Sequence, residues 1–375
     1  MRFVGLFSGI GGLEKGFENA GFETVMMSEV DPYCRAVLRE RFPKQQIFGD
    51  IMQLRTLPRA EAVVAGFPCQ PYSQAGPMQG LDASRQLLRK VIALVEKSRP
   101  RPKYVVLENV KNIIHLDGGA ALAYITREFE RLKYSWAYRV VDSSAFGLPQ
   151  RRKRWLFVAT RNNDAAALLL CDDYKPHKVE KPGAHGFYWT EGNTGIGWAN
   201  DAVPPLKGGS GLGIPSPPAI WIRETNEIAT PSLADAERLQ GFDAGWTAMD
   251  EREPRYERLR WRMIGNAVSV PMAEWLARSI ASSNSEAEPA GPTFLKSGPW
   301  PQAAWGRKGV RRAIHVGSFP TPIAHEPLLD FLRHDLEPLS ARATLGFRTR
   351  LEQSSLRYER SFLSALKMHE RAVSR

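Results

Sequence analysis

The sequence predicts an α/β protein: a doubly wound, mainly parallel sheet, followed by a small loop-rich domain and a basic C-terminal extension. Three observations carry that prediction. Over residues 1–160, short apolar runs alternate with stretches of helical periodicity. After Arg161 the alternation stops and Gly and Pro accumulate, as in Lys207-Gly208-Gly209-Ser210-Gly211-Leu212-Gly213. Residues 291–375 hold 14 Lys/Arg against 7 Asp/Glu, so less than a quarter of the chain supplies +7 of the net +11.

The expected strands are 3–6, 24–28, 46–48, 62–65, 104–107, 135–141 and 155–160, with helices over 13–20, 32–41, 84–97 and 120–132 between them. Strands separated by helices of this length form parallel sheets. Residues 183–220 read as a folded segment, because Phe187, Trp189, Trp198, Ile220 and Trp221 are too many large apolar groups for a solvated tether. Helical periodicity returns at 232–239 and 270–280, and 281–290 reads as a linker. The expected domains are 1–160 plus 261–283, then 161–260, then the extension 284–375.

Composition narrows the function classes. At 375 residues, 43% of them hydrophobic, the chain can bury a large core. A net charge of +11 and a pI of about 9.6 point to a polyanionic partner, nucleic acid before an anionic membrane. Three scattered cysteines (Cys34, Cys69, Cys171) form neither a disulfide framework nor a CxxC zinc pattern, so a reducing cytoplasm and no metal are expected. No apolar run reaches the ~20 residues of a membrane span. The glycines and acids after Arg2 suit a strand and turn better than a signal peptide.

Two segments carry the chemistry. The first is a strand–glycine turn–helix unit, with Phe7-Ser8-Gly9-Ile10-Gly11-Gly12 as its turn, where glycines permit close approach of a ligand to the backbone. Glu29 stands twenty residues after Gly9 at the tip of the next strand, the spacing at which an acid reaches a ribose hydroxyl. Asp50 ends the third strand, and either an adenine contact or a helix N-cap accounts for it. Three polar strand ends on one sheet edge suit an adenosine-containing cofactor. The second segment is Gly66-Phe67-Pro68-Cys69-Gln70-Pro71, which directly follows an apolar strand. Its prolines bias Phe67 and Gln70 to extended conformations and hold Cys69 on a stiff loop. Taken alone, Cys69 reads equally as a buried small hydrophobe or as a nucleophile.

Together these segments resemble the C5-cytosine-specific DNA methyltransferases, bacterial or phage type, and the matches run in that family's order across residues 1–283. They are the glycine turn, Glu29, Asp50, Pro68-Cys69-Gln70, Glu108-Asn109-Val110, the Gln150/Arg152/Arg154 run, Arg238-Leu239-Gln240-Gly241-Phe242 and Gly265-Asn266-Ala267-Val268. The resemblance implies a Rossmann-like S-adenosylmethionine-dependent methyltransferase fold, with 161–260 as target-recognition domain. It implies S-adenosylmethionine contacts from Phe7, Ser8, Gly9, Gly11, Gly12, Glu29, Val30, Asp50, Ile51, Pro68, Asn266 and Ala267. Cys69 would add to cytosine C6, and Glu108, Arg152 and Arg154 would assist. Gln70, Ser73, Asn109 and Gln150 would bind substrate. An acid usually precedes the Leu-Phe of the first motif, where this chain has Gly5. A Gly commonly follows the arginine of the loop helix, where this chain has Gln86.

Several further expectations follow. Burial at its strand tip would raise the pKa of Glu108 and let it share a proton with ring N3. On an extended segment Gln150, Arg152 and Arg154 share one face. Residues 73–84 read as a loop that closes over a flipped cytosine. Lys207–Ser210 could contact phosphates, and Arg223, Glu224 and Asn226 are candidates for base edges. Interleaved Trp300, Trp305, Arg307, Lys308, Arg311 and Arg312 could add phosphate contacts or simply pack. The expected partner is double-stranded DNA, bound by a monomer with a cognate restriction endonuclease. An RNA cytosine-5 methyltransferase and a non-catalytic DNA-binding homologue are the alternatives.

Overall fold

The computed structural model describes residues 1–68, 79–161, 165–177, 179–191, 195–208, 216–249, 256–282, 291–294 and 299–374, with backbone alone at 79–84. In chain order the elements begin with β1 (Arg2–Leu6), α1 (Gly12–Asn19), β2 (Glu23–Ser28), α2 (Pro32–Arg41), β3 (Ile47–Phe48) and β4 (Ala62–Ala65). Next come α3 (Gln79–Lys97), β5 (Tyr104–Val110), α4 (Ala120–Arg131), β6 (Ser135–Asp142), β7 (Lys153–Thr160) and α5 (Ala165–Leu169). The middle of the chain holds β8 (Ala184–Phe187), β9 (Ala199–Asn200), β10 (Ala219–Ile222), β11 (Ile228–Thr230), α6 (Leu233–Leu239), α7 (Tyr256–Asn266) and α8 (Val270–Ser282). The chain closes with β12 (Ala303–Arg307), β13 (Val310–Ala313), α9 (Leu328–Phe331), β14 (Glu337–Pro338), α10 (Ala341–Gln353) and α11 (Arg360–Val373).

Two compact units result. The first comprises 1–146, 153–176 and 268–323; the second comprises 147–152, 177–267 and 324–375.

The first unit is built on a nine-stranded sheet in the order β13-β12-β6-β7-β5-β4-β1-β2-β3. From β5 to β3 every pairing is parallel, the product of strand–helix alternation. β7 runs antiparallel to both β5 and β6. One layer of the core, with Leu6, Val63, Val105, Phe129, Trp136 and Phe157, covers one face of this sheet. A second, with Phe3, Phe17, Val64, Val106, Leu276 and Ile280, covers the other. Each large apolar side chain contributes about 1.5–3 kcal/mol on burial. The doubly wound sheet therefore has the architecture expected. α8 arrives from far along the chain and packs on α1 at Gly16, where a Cβ would lie 2.7 Å from the backbone of Val270 and Glu274.

The basic extension is divided between the units rather than appended to them. β12 pairs antiparallel with β6, and β13 follows it as a hairpin. Trp300 and Trp305 are buried in the first unit's core, with Arg311 stacked on Trp300 and Arg312 over Trp305. These aromatics pack; they present no stacking surface. Residues 324–375 complete the second unit instead. β14 pairs with β11 in a five-stranded sheet, and Phe347 and Phe362 from α10 and α11 meet Phe187 and Trp221. The alternation rule did not reveal these pieces, because a two-residue strand and a hairpin are too short to carry periodicity. α7 likewise belongs to the second unit rather than with 268–282.

Candidate active site

The cofactor-type loop is shaped by left-handed backbone. Phe7, Gly9 and Gly11 have φ of 57, 55 and 88°. For a bulky residue such as Phe7 that region is strained, and strain of this kind concentrates at functional sites. Gly11 lies against the Phe42 ring, where a Cβ would come within 2.5 Å. Gly9 is the opposite case: nothing stands within 4 Å of a Cβ built on it. The loop therefore has a packed side and an open side. Gly12 begins α1, and Ser8 is held by its amide to the Ser28 carbonyl at 3.1 Å.

Glu29 closes this turn. One carboxylate oxygen accepts the Gly9 amide at 2.8 Å and the other accepts the Asp31 amide at 2.8 Å. Val30 beside it is 65% exposed, available to a ligand. Asp50 accepts the Met52 amide at 2.9 Å as a helix N-cap, and Ile51 is buried. The capping reading of Asp50 is thus satisfied in the structure. Its half-buried position at the end of β3 still leaves it on the same sheet edge as Glu29.

The second cluster grows from β4 and β5. β5 runs three residues beyond its expected end, so Glu108 and Asn109 lie within a paired strand rather than at its tip. Arg154 on β7 stands opposite Val110, which makes it the diagonal neighbour of Glu108 on one face. Arg154 Nε donates to Glu108 Oε1 at 3.1 Å, both side chains being largely buried. The other carboxylate oxygen, Oε2, would lie 3.5 Å from a Cβ at Gly66. Asn109, facing the opposite way, donates from Nδ2 to the Phe67 carbonyl at 3.0 Å. Both side chains thus bear on the segment Gly66-Phe67-Pro68 that leads to Cys69, with Phe67 buried and Pro68 exposed. Cys69, Gln70 and Ser73 lie outside the described residues. So does the first half of the expected closing loop, whose last residues, 79–84, are already the first turns of α3.

Gln150 and Arg152 are engaged with backbone of the second unit. Burial alternates as predicted, with Gln150 and Arg152 inside and Arg151 and Lys153 outside. Arg152, however, donates to the carbonyls of Leu206, Gly265 and Ala267 at 3.0, 3.0 and 2.9 Å. Gln150 donates to the Leu239 carbonyl at 2.7 Å and accepts the Leu206 amide at 3.1 Å. Both therefore tie the second unit's own backbone together. Buried donors are satisfied in this way. Asn266 ends α7 with an exposed side chain, and Ala267 is buried.

The recognition candidates are also engaged. Lys207 pairs with Glu191 and sits 3.6 Å above the Tyr188 ring, and Gly209 and Ser210 lie outside the described residues. Arg223 is stacked on Trp221 and meets Glu359 and His185 at 3.1 Å each. Glu224 is exposed and Asn226 has a φ of 59°. The described residues contain no group of three or more His, Cys, Asp or Glu able to hold a metal. Among them no helix is long and apolar enough to cross a membrane.

One residue of this region escapes the motifs. Glu14, on α1, is completely buried beside Ser8, flanked by the apolar Leu13 and Phe17. The signal was an acid on the inward face of an amphipathic helix.

A parallel sheet edge with a glycine loop and an acid after each of the next two strands, beside a Glu–Arg pair set against Gly66, suits the class of nucleotide-cofactor enzymes. The comparisons narrow that class. A family model for C-5 cytosine-specific DNA methylase matches residues 1–186. Over 380 residues the chain is 40% identical to the Type II methyltransferase M2.BsuMI of Bacillus subtilis (strain 168), covering 98% of this chain and 97% of that protein. The chain belongs to the C-5 cytosine-specific DNA methylase family. It is also 35% identical over 165 residues to the Type II methyltransferase M.HhaI of Haemophilus parahaemolyticus, covering 44% of this chain and 50% of that one. Among solved structures, the S. pombe Dnmt2 methyltransferase superimposes with a TM-score of 0.54 at 15% identity, covering 74% of this chain and 97% of that one. The fold is shared with that structure.

Proposed function

We propose that the protein transfers the methyl group of S-adenosylmethionine to C5 of a cytosine flipped out of duplex DNA, through a covalent bond between Cys69 and C6. The observation that carries this reading is the Glu108 carboxylate, held by Arg154 and lying against Gly66 just before Pro68-Cys69. The open side of Gly9 and the Glu29 carboxylate beside it support an adenosyl cofactor there. Phe7, Ser8, Gly9, Glu29, Val30, Asp50 and Ile51 would hold it. When bound, the cofactor supplies an electrophilic methyl group on its sulfonium.

The chain's own groups do the rest. Cytosine C5 is a poor nucleophile until C6 is attacked. The Cys69 thiolate forms an Sγ–C6 bond while Glu108, protonated when the cytosine enters, passes that proton to N3, so that C5 becomes enamine-like. After methylation a water molecule takes the C5 proton, the C5=C6 bond re-forms as the Sγ–C6 electron pair returns to sulfur, and N3 gives its proton back to Glu108. Arg154 fixes the Glu108 carboxylate on its diagonal neighbour and keeps it aimed past Gly66. Asn109 holds the Phe67 carbonyl, and through it the entry to the Cys69 loop. Arg152 and Gln150 act as positioning residues. In a low-dielectric site, thiolate and carboxylate are both more sensitive to their neighbours than in water.

Incubation with methyl-labelled cofactor and a panel of duplexes and RNAs tests the reading. Label in duplex DNA, lost in Cys69→Ala, is expected. Label in RNA alone would overturn the DNA assignment, and no transfer to any nucleic acid would return the protein to a binding role. Glu108→Gln is expected to slow transfer by about 10²–10⁴. A cytoplasmic monomer working beside a cognate endonuclease fits this reading.

A further inference from the structure

The first glycine motif lacks an acid at Gly5, and the structure shows what fills that space. A Cβ at Gly5 would overlap Glu14 Oε1 and come within 2.9 Å of its Cδ. The helix therefore returns a carboxyl to the spot that the strand leaves empty. That carboxyl is completely buried; its polar neighbours are the Ser8 hydroxyl and its own backbone, with no well-formed hydrogen bond to either oxygen. The Ser8 hydroxyl, buried beside it in the glycine loop, has no other partner among the described residues. Such groups are costly and rarely left idle.

The surrounding charges have one sign. Glu29, whose carboxylate holds the Gly9 amide, and Glu18, one turn along α1, both act on Glu14. On α8, which packs against α1, Glu274 is directed to Asn19 and Arg278 instead. Ser8 and Gly9 thus lie between two carboxyl groups, one behind the loop and one in front of it. Neither of the charged groups that act most on Glu14 is a cation, and Arg35 is directed to the Glu29 and Val30 carbonyls instead.

We infer that Glu14 is the acid behind the cofactor loop, a positioning residue that ionises and orients Ser8 when a cationic cofactor occupies the open side of Gly9, so that binding releases a proton. This rests on the S-adenosylmethionine reading above. The sulfonium and ammonium groups of that cofactor are the cations required. Burial, assisted by Glu29 and Glu18, pushes Glu14 up to about 7, although the nearby Ser8 hydroxyl pulls it down. The group is therefore poised to change its charge near neutrality. Binding that demands the carboxylate should tighten about tenfold between pH 6 and pH 8.

The test is calorimetric titration of the full-length protein with S-adenosylmethionine and S-adenosylhomocysteine, at pH 6 to 8, in buffers of different ionisation enthalpy. Wild type is expected to release part of a proton at pH 7 and to bind S-adenosylmethionine about tenfold more tightly at pH 8 than at pH 6. Glu14→Gln should bind more weakly at pH 8 and lose both the release and the slope. Gly5→Asp combined with Glu14→Ala, which moves the acid to the strand, should recover affinity at pH 8. Glu14→Gln with wild-type affinity, slope and proton release would overturn the inference. Wild type that binds without releasing a proton would overturn it too, with no variant needed. Failure of both adenosyl ligands to bind at any pH would instead overturn the reading on which it rests.

Discussion

Glu14 and Glu237 are both completely buried, and their surroundings could hardly differ more. Glu237, on α6 in the second unit, is saturated. It accepts the amides of Gly245 and Thr247 at 2.5 and 2.8 Å, the Thr247 hydroxyl at 2.5 Å and the Arg260 guanidinium at 3.1 Å. Glu14, on α1 in the first unit, has only the Ser8 hydroxyl and its own backbone as polar neighbours, with no well-formed bond among the described residues. A buried carboxylate with its partners in place is part of the architecture, because removing it strands every donor around it. A buried carboxyl without partners weakens the fold, and it persists where another molecule supplies what is missing. The same residue type at the same burial thus marks a structural corner in one region and a working site in the other.

Substitutions sharpen the contrast, beginning with the largest effect. Glu237→Ala should destabilise the protein by about 3–5 kcal/mol, since Arg260 and two amides lose their acceptor. Urea unfolding measures this, and a cost below about 1 kcal/mol would remove the architectural half of the comparison. Arg152→Ala should cost about 2–4 kcal/mol by freeing three carbonyls, while leaving S-adenosylhomocysteine affinity unchanged. A large loss of that affinity would return Arg152 to the ligand site.

Glu14→Gln should act in the opposite direction. The folded-state value of about 7 exceeds the ordinary 4.5, so the folded protein holds the extra proton between these limits. Stability from this group is therefore full below about pH 4.5, falls as pH rises, and is lost above about pH 7. At pH 8 the substitution should stabilise the ligand-free protein by about 1–3 kcal/mol, and at pH 4 it should make little difference. Thermal unfolding across that range checks the sign. Destabilisation at pH 8 would show Glu14 to be as structural as Glu237. The smallest effect is expected from Asn109→Ala, about 1 kcal/mol for its bond to the Phe67 carbonyl. The loss should appear as slower adduct formation rather than weaker cofactor binding.

The parallel half of the sheet was legible because each strand and helix carries its own period, and Ala62–Ala65 and Pro32–Arg41 match their expected bounds. The positions of the glycine loop and Glu29 were legible because each follows a strand, whereas Glu108 lies inside β5 rather than at its tip. What the sequence hid is what depends on distant pairing. The register of β5 on β7 brings Arg154 to Glu108, while Arg152, two residues earlier, turns to three carbonyls. Spacing alone placed both arginines on one face and could not separate their tasks. The tail was hidden for the same reason, since Trp305 and Phe362 find their partners only through long-range packing. Glu14 was hidden because its significance lies in Gly5, which is nine positions away and on another element.

The central claim is that Cys69 bonds to C6 of a cytosine in DNA while the cofactor's methyl group passes to C5. Incubation with S-adenosylmethionine and a duplex carrying 5-fluorocytosine, in which fluorine replaces the C5 proton that must leave, tests it most directly. Mass spectrometry of the digested product should find methylated nucleotide attached to the peptide that contains Cys69, and none in Cys69→Ala. Methylated cytosine in ordinary duplex with no such adduct, or an adduct at Cys34 or Cys171, would contradict the account.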